Sequence, residues 1–369
     1  MNRSWQLGRI FGIDIKLHLT FFILLIWVGF SAAFNGGTGM TMLVEIFFIL
    51  ALFLSVILHE LGHALMAKRF GIETRDITLL PIGGIAHLKR LPETPKEEFS
   101  VSIAGPAVNF MIAGVIFIGL LLSGFFTQQT LSLSLLNENL WLRFLTANLT
   151  LGIFNLIPAF PMDGGRVLRS LLSNTMSRVR ATRTAALIGY GFAVIIGIAG
   201  LFLNPWLILI ALFIGSGAKA EVNLETLKAE LEGLVVRDAL VTKFYEVDAN
   251  QPLSDVFQMV IQTGQRYIPV VSNRRFLGFI EASDLAGITK RLGDRAPAYA
   301  AIRHEPAGVN PDTPLTETLA KFAVNRLLPV MDEGELIGYI TPESVEHSRM
   351  LHRHHQQSSI SPSEETDQH

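Results

Sequence analysis

Apolar residues gather in long unbroken runs through the first 217 positions, then give way to short segments broken by charge. The runs cover residues 17–34, 42–58, 101–126, 140–157, 185–203 and 206–214. Crossing a bilayer as a helix takes about 20 apolar residues, with about 17 as a lower limit. The first five runs reach that length, and the sixth is shorter, set off by Asn204-Pro205. The pattern therefore predicts about six transmembrane helices. Arg3, Arg9 and Lys16 precede the first run, but no small-residue cleavage site follows it, so it reads as a retained anchor rather than a signal peptide.

Basic residues orient the spans, because Lys and Arg collect on the cytoplasmic side. They precede the first run and fill the second-to-third connection (Lys68, Arg69, Arg75, Lys89, Arg90, Lys96) and the fourth-to-fifth (Arg166, Arg169, Arg178, Arg180, Arg183). The other connections carry none. Six spans with both termini in the cytoplasm of a cytoplasmic (inner) membrane fit this distribution. Arg143, at the outer start of the fourth run, is the one misfit.

Composition fits a membrane protein. Of 369 residues, 50% are hydrophobic and 17% charged, with a mean hydropathy of +0.40; soluble chains carry about 25% charged residues. A net charge of −2 speaks against a nucleic-acid partner. The absence of Cys excludes disulfides, thiol catalysis and Cys-ligated metal, leaving His, Asp and Glu for any metal site. Up to Gly217 there are 15 Lys and Arg against 10 Asp and Glu, and from Ala218 onward 15 against 22. The expected organisation is a membrane domain over 1–217, a linker helix over 218–233 and a soluble remainder.

The second run continues into His59-Glu60-Leu61-Gly62-His63. On a helix, positions i and i+4 fall within about 40° of each other and about 6 Å apart along the axis, so two imidazoles can bind one zinc ion. Glu60 then stands where a general base toward water is needed. A plainer reading makes these three residues a polar cap at the membrane interface. Catalytic zinc takes three protein ligands, and a third is on offer in Asn155-Leu156-Ile157-Pro158-Ala159-Phe160-Pro161-Met162-Asp163-Gly164-Gly165, where two prolines break the fourth run. Asp163 reads equally well as the N-cap of the segment that follows.

HELGH at the end of a span, with NLIPAFPMDG about a hundred residues later, resembles the site-2 protease family of intramembrane zinc metalloproteases. The family pattern, HExxH with N-x-x-P-x-x-P-x-D-G, is matched without substitution over roughly residues 10–218. The resemblance implies that His59, His63 and Asp163 bind one zinc ion per chain, that Glu60 is the catalytic carboxylate, and that the substrate is a membrane-spanning protein. Ala104-Gly105-Pro106-Ala107-Val108-Asn109 resembles the family's G-x-x-x-N element. Asn109 reads either as a substrate or oxyanion contact or as helix-packing polarity, and Asn155 as a substrate contact. Residues 76–88 read as extended and glycine-hinged, resembling the family's membrane-associated strands, with an edge that could pair with an unwound substrate; His87 reads as structural.

Beyond the linker an internal repeat appears: Arg266-Tyr267-Ile268-Pro269-Val270 matches Arg326-Leu327-Leu328-Pro329-Val330, and each copy reads helix, strand, turn, strand, helix. This resembles a cytoplasmic α/β CBS domain pair, with repeats over 234–290 and 291–348. Such pairs resemble adenine-nucleotide-binding modules, which use Ser/Thr-x-x-Asp after the second strand. Here that element is split between Asp284 of the first copy and Thr341 of the second, so a nucleotide sensor and a purely structural pair forming a homodimer stand side by side. Residues 349–369 have the composition of a disordered tail.

The fold expected is a polytopic α-helical membrane protein with a membrane-associated β region and a CBS pair. The function expected is a zinc-dependent intramembrane endopeptidase acting in regulated intramembrane proteolysis. A CBS-bearing transporter or channel, with His and Asp lining an ion path, and a catalytically silent zinc-stabilised scaffold are the alternatives.

Overall fold

The computed structural model describes residues 4–360 apart from 35, 82, 129–138, 274, 303–306 and 323. The chain divides into two compact units at Glu225/Thr226, inside the stretch expected to be a linker helix.

The first unit opens with strands the apolar runs do not announce. β1 (Ser4–Ile10) and β2 (Ile13–His18) form an antiparallel hairpin. Ile13, Ile15 and Leu17 alternate inward along β2, the two-residue period of a half-buried strand. β2 then pairs in parallel with β3 (Thr74–Leu80), which pairs antiparallel with β4 (Gly83–Leu88). The last two are the extended, glycine-hinged region expected over 76–88. β4 lies at one end of the sheet order β1-β2-β3-β4.

Among the described residues four helices are long and apolar enough to cross a membrane: α2 (Gly39–Arg69), α3 (Pro95–Leu122), α7 (Arg178–Phe202) and α8 (Trp206–Glu230). The sequence pattern predicts six, and the difference has local causes. The first run loses Leu17 and His18 to β2, leaving α1 (Thr20–Phe34) with 15 residues. That is about 22 Å of helix against a hydrocarbon core of about 30 Å. A four-residue helix, α4 (Phe125–Gln128), follows α3. The fourth run is cut short before Pro158, leaving α5 (Leu140–Asn155) with 16 residues. The short sixth run and the charged linker fuse into the single helix α8. Leu201, Phe202 and Val115 on these helices are exposed, as on a surface that meets lipid.

Helix ends follow the sequence closely. α3 starts with a capping box between Thr94 and Glu97 and a proline in its first turn. α2 ends on Lys68 and Arg69, cations suited to the negative end of a helix dipole. Arg143, the misfit, donates twice to Glu45 at 2.7 Å and lies 4.0 Å over the Phe48 ring, so a carboxylate on α2 neutralises it. Behind the break, α6 (Asp163–Leu172) packs on α3 and α7 through an ionic cluster. Arg169, 3% exposed, donates to Glu98 and, at 2.6 Å, to Glu221; Arg178 reaches Glu98 at 3.1 Å and Glu225 at 2.8 Å.

The second unit repeats itself. In the first copy β6 (Tyr267–Ser272) pairs antiparallel with β7 (Arg275–Glu281) and in parallel with β5 (Val247–Asp248). In the second, β8 (Leu328–Asp332) pairs antiparallel with β9 (Glu335–Ile340), and Val309 bridges Val330 in parallel. The register slips at Val270/Val271 and again at Val330/Met331, so even the bulge repeats. Each copy has its own buried core, around Ile268, Val270, Ile280 and Leu285 and around Leu328, Val330, Ile340 and Val345. The last helix spans Pro342–Ile360, so residues 349–360 are helical, contrary to the disordered end expected from 349; residues 361–369 lie outside the described residues.

Candidate metal centre

Three segments build the centre. α2 is regular through its C-terminal half, which brings His59 and His63 onto one face with ring centroids 4.7 Å apart. The break after α5 returns the chain to α2: Ala159 and Phe160 are fully buried, and α6 begins at Asp163. Met162 occupies the N-cap position without a side-chain hydrogen bond, so the Asp163 carboxylate is not spent on capping. Its Oδ2 lies 3.3 Å from His59 Nε2 and 3.2 Å from His63 Nε2, and the two Nε2 atoms are 3.1 Å apart.

The hydrogen bonds behind the rings decide what faces the centre. His63 Nδ1 stands 2.7 Å from the Val101 carbonyl, an acceptor only, so Nδ1 carries the proton. His59 Nδ1 stands 2.5 Å from Asn109 Oδ1 and donates likewise. Both Nε2 atoms then present lone pairs to a carboxylate that also offers only lone pairs. Three such acceptors crowded together are stable around a cation. Nitrogen, nitrogen and oxygen donors, each able to give one ligand atom within 4.8 Å of the others, suit zinc.

Room for the rings comes from Gly105 on α3, where a Cβ would stand 2.3 Å from His63 Nε2 and 2.7 Å from His59 Nε2. Glu60, half-buried, points to the sheet: a Cβ at Gly84 of β4 would lie 2.5 Å from Glu60 Cγ and 3.1 Å from Oε1. An acid, a cation cradle and a strand edge thus share one corner of the unit.

Residues 47–198 match peptidase family M50, and residues 236–289 and 299–347 match the CBS domain. Over 351 residues the chain is 34% identical to "Zinc metalloprotease MJ0392" of Methanocaldococcus jannaschii, covering 94% of this chain and 96% of that protein. The chain belongs to the site-2 protease family, peptidase family M50. "Putative zinc metalloprotease sll0528" of Synechocystis is 29% identical over 370 residues, covering 94% of this chain and 95% of that one. A solved structure, "Site-2 Protease from Methanocaldococcus jannaschii", is 40% identical with a TM-score of 0.43, over 59% of this chain and 95% of that chain.

In this M50 metalloprotease the remaining expected residues have partners of their own. Asn109 is fully buried and its Oδ1 lies 2.5 Å from His59 Nδ1. Asn155 donates to the Leu151 carbonyl at 3.0 Å, one turn back in its own helix. His87 Nδ1 donates to Asp76 Oδ1 at 2.9 Å. In the CBS unit Thr341 Oγ1 accepts from the Ser344 amide at 3.2 Å, capping the last helix. Asp284 sits in the first turn of the helix Ala282–Leu292, the place that Ser344 holds in the other copy. Where the first copy would need Ser or Thr it has Glu281, which accepts from Arg326 at 3.0 Å.

The sequence reasoning passed over Asn148, fully buried and bonded to Asn109 at 3.2 Å, and the part played by Gly105. An amide in the middle of an apolar run was the available signal, since a polar group placed there needs a partner.

Proposed function

We propose that this chain is a zinc-dependent intramembrane endopeptidase that cuts a transmembrane or membrane-adjacent segment of another protein. The convergence of His59, His63 and Asp163 beside Glu60, on helices apolar enough to span a bilayer, carries the reading. His59, His63 and Asp163 would hold the zinc, which when bound supplies Lewis acidity to the scissile carbonyl and to water. Glu60 takes a proton from the water whose oxygen attacks the carbonyl carbon, and returns it to the amide nitrogen as the C–N bond breaks. A helical substrate hides its carbonyls in its own hydrogen bonds and must unwind to be cut. The outer edge of β4, running past Glu60 at Gly84, would take the extended segment as an added strand.

The basic connections support cytoplasmic termini, with α1 and α5 as two short spans beside the four long helices. The CBS pair would regulate cleavage. Asp284 and Thr341 would contact the ribose of an adenine nucleotide, and CBS pairs of two chains would form the dimer contact.

The test is cleavage of a membrane-spanning model substrate by the full chain in detergent. Glu60→Gln is expected to keep its zinc and lose activity by at least ~10²-fold. Undiminished cleavage by zinc-loaded Glu60→Gln would overturn the mechanism. A wild-type protein that binds zinc yet cuts nothing would favour the silent scaffold, and zinc-independent ion flux would favour the channel.

A further inference from the structure

The hydrogen bond that fixes His59 does not end at Asn109. Asn109 Nδ2 donates to Asn148 Oδ1 at 3.2 Å, and Asn148 Nδ2 donates to the Phe144 carbonyl at 3.0 Å. Both asparagines are fully buried, on α3 and α5. Neither has water to fall back on, so each bond is costly to leave unmade.

The chain has only one polarity. Phe144 ends it with a carbonyl, which can only accept. Asn148 must therefore turn its NH2 to Phe144 and its oxygen to Asn109. Asn109 must in turn give its NH2 to Asn148, which leaves its oxygen for His59. His59 answers with Nδ1–H, and the Nε2 lone pair is directed at Asp163. Reversing any one amide sets two donors or two acceptors face to face in a dry interior.

We propose that Asn109 and Asn148 are positioning residues for the metal: a relay of fixed direction, anchored on the Phe144 carbonyl of α5, that locks His59 as the Nδ1–H tautomer. His63 needs no such relay, because the Val101 carbonyl holds its Nδ1 directly at 2.7 Å. The two imidazoles thus have unequal supports, one a backbone carbonyl and the other two side chains deep. The inference rests on the metal-binding reading above and extends it to Asn148, whose hydrogen bonds run to Asn109 and Phe144. It also removes Asn109 from the substrate-facing role, since both ends of its amide are engaged.

The experiment measures the zinc dissociation constant of the full chain in detergent by chelator competition, in a double-mutant cycle. Asn109→Leu and Asn148→Leu are each expected to weaken zinc binding about 10-fold or more, the usual cost of losing an outer partner of a metal-bound His. The double variant should be no weaker than Asn109→Leu alone, because Asn148 acts only through Asn109. Asn109→Asp in an Asn148→Ala background keeps an acceptor oxygen for His59 with no second oxygen opposing it across the relay, and should bind zinc more tightly than Asn109→Leu. Asn148→Ala, which removes the amide without overfilling the site, stands in if Asn148→Leu does not fold. Additive losses, as from two independent packing defects, would overturn the relay, as would single variants with unchanged affinity. A wild-type chain that binds no zinc would overturn both the relay and the metal-centre reading, whereas additivity on a zinc-binding wild type overturns the relay alone.

Discussion

Gly105 and His63 stand so close that one added carbon on the glycine would lie 2.3 Å from the imidazole Nε2. Gly105→Ala should therefore displace the ring from the ligand cluster while α3, which tolerates alanine well, stays helical. Zinc content after dialysis is expected to fall well below one per chain with circular dichroism unchanged. Full zinc occupancy in this variant would contradict the geometry.

Gly84 plays the matching part for Glu60. A Cβ there presses on Glu60 Cγ at 2.5 Å, so Gly84→Ala should shift the carboxylate without touching the three metal ligands. Misplacement of a catalytic group by about 1 Å can cost ~10²-fold in rate. The expected signature is lowered cleavage with unchanged zinc affinity, separable from Gly105→Ala by the metal assay.

Arg169 lies two turns beyond Asp163 on the same helix, clasped by Glu98 and Glu221. Removing one partner of a buried ion pair strands the other, at a cost of about 3–5 kcal/mol. Arg169→Met should lower the melting temperature in detergent sharply. Arg169→Lys should recover little of the loss, since an ammonium cannot reproduce the forked contacts. A melt within a degree of wild type for Arg169→Met would show the cluster to be energetically idle.

Asp76 ties three strands together, accepting from Lys16 at 3.0 Å and pairing with His87 at 2.9 Å. Burial would raise its carboxyl, but Lys16 and His87 outweigh burial and hold it below the ordinary carboxylate value. A carboxyl held low in the fold contributes stability above its unfolded value of about 3.9 and loses it as pH falls through the lowered folded value. The melting-temperature gap between wild type and Asp76→Asn should be constant near neutrality and shrink on acidification below about pH 4. A gap that persists undiminished in acid would show that the ion pairing is not its source.

The centre was legible where its geometry is local. His59 and His63 are set by one helical turn, and Asp163 was marked by prolines that no span would carry without a reason. The span lengths were not legible, because Leu17 and His18 continue an apolar run while belonging to β2. Nor was the pairing of Arg143, whose partner Glu45 lies 98 residues earlier. Asn109 could be found but not assigned: its role depends on Asn148, and nothing in either run predicts that α3 and α5 bring the two amides together. The CBS repeat was plain at the level of strands, since the same apolar alternation and the same bulge recur, whereas the split Asp284 and Thr341 element left ligand binding unsettled by pattern alone.

The third donor arrives late. His59 and His63 leave the ribosome about a hundred residues ahead of Asp163, and the segment between them must insert before the carboxylate can return to meet the rings. A half-made chain already lodged among other membrane proteins thus carries two imidazoles and a glutamate without the carboxylate that completes the cluster. On the metal-centre reading, a product of translation interrupted before Asp163 would be inert toward its neighbours.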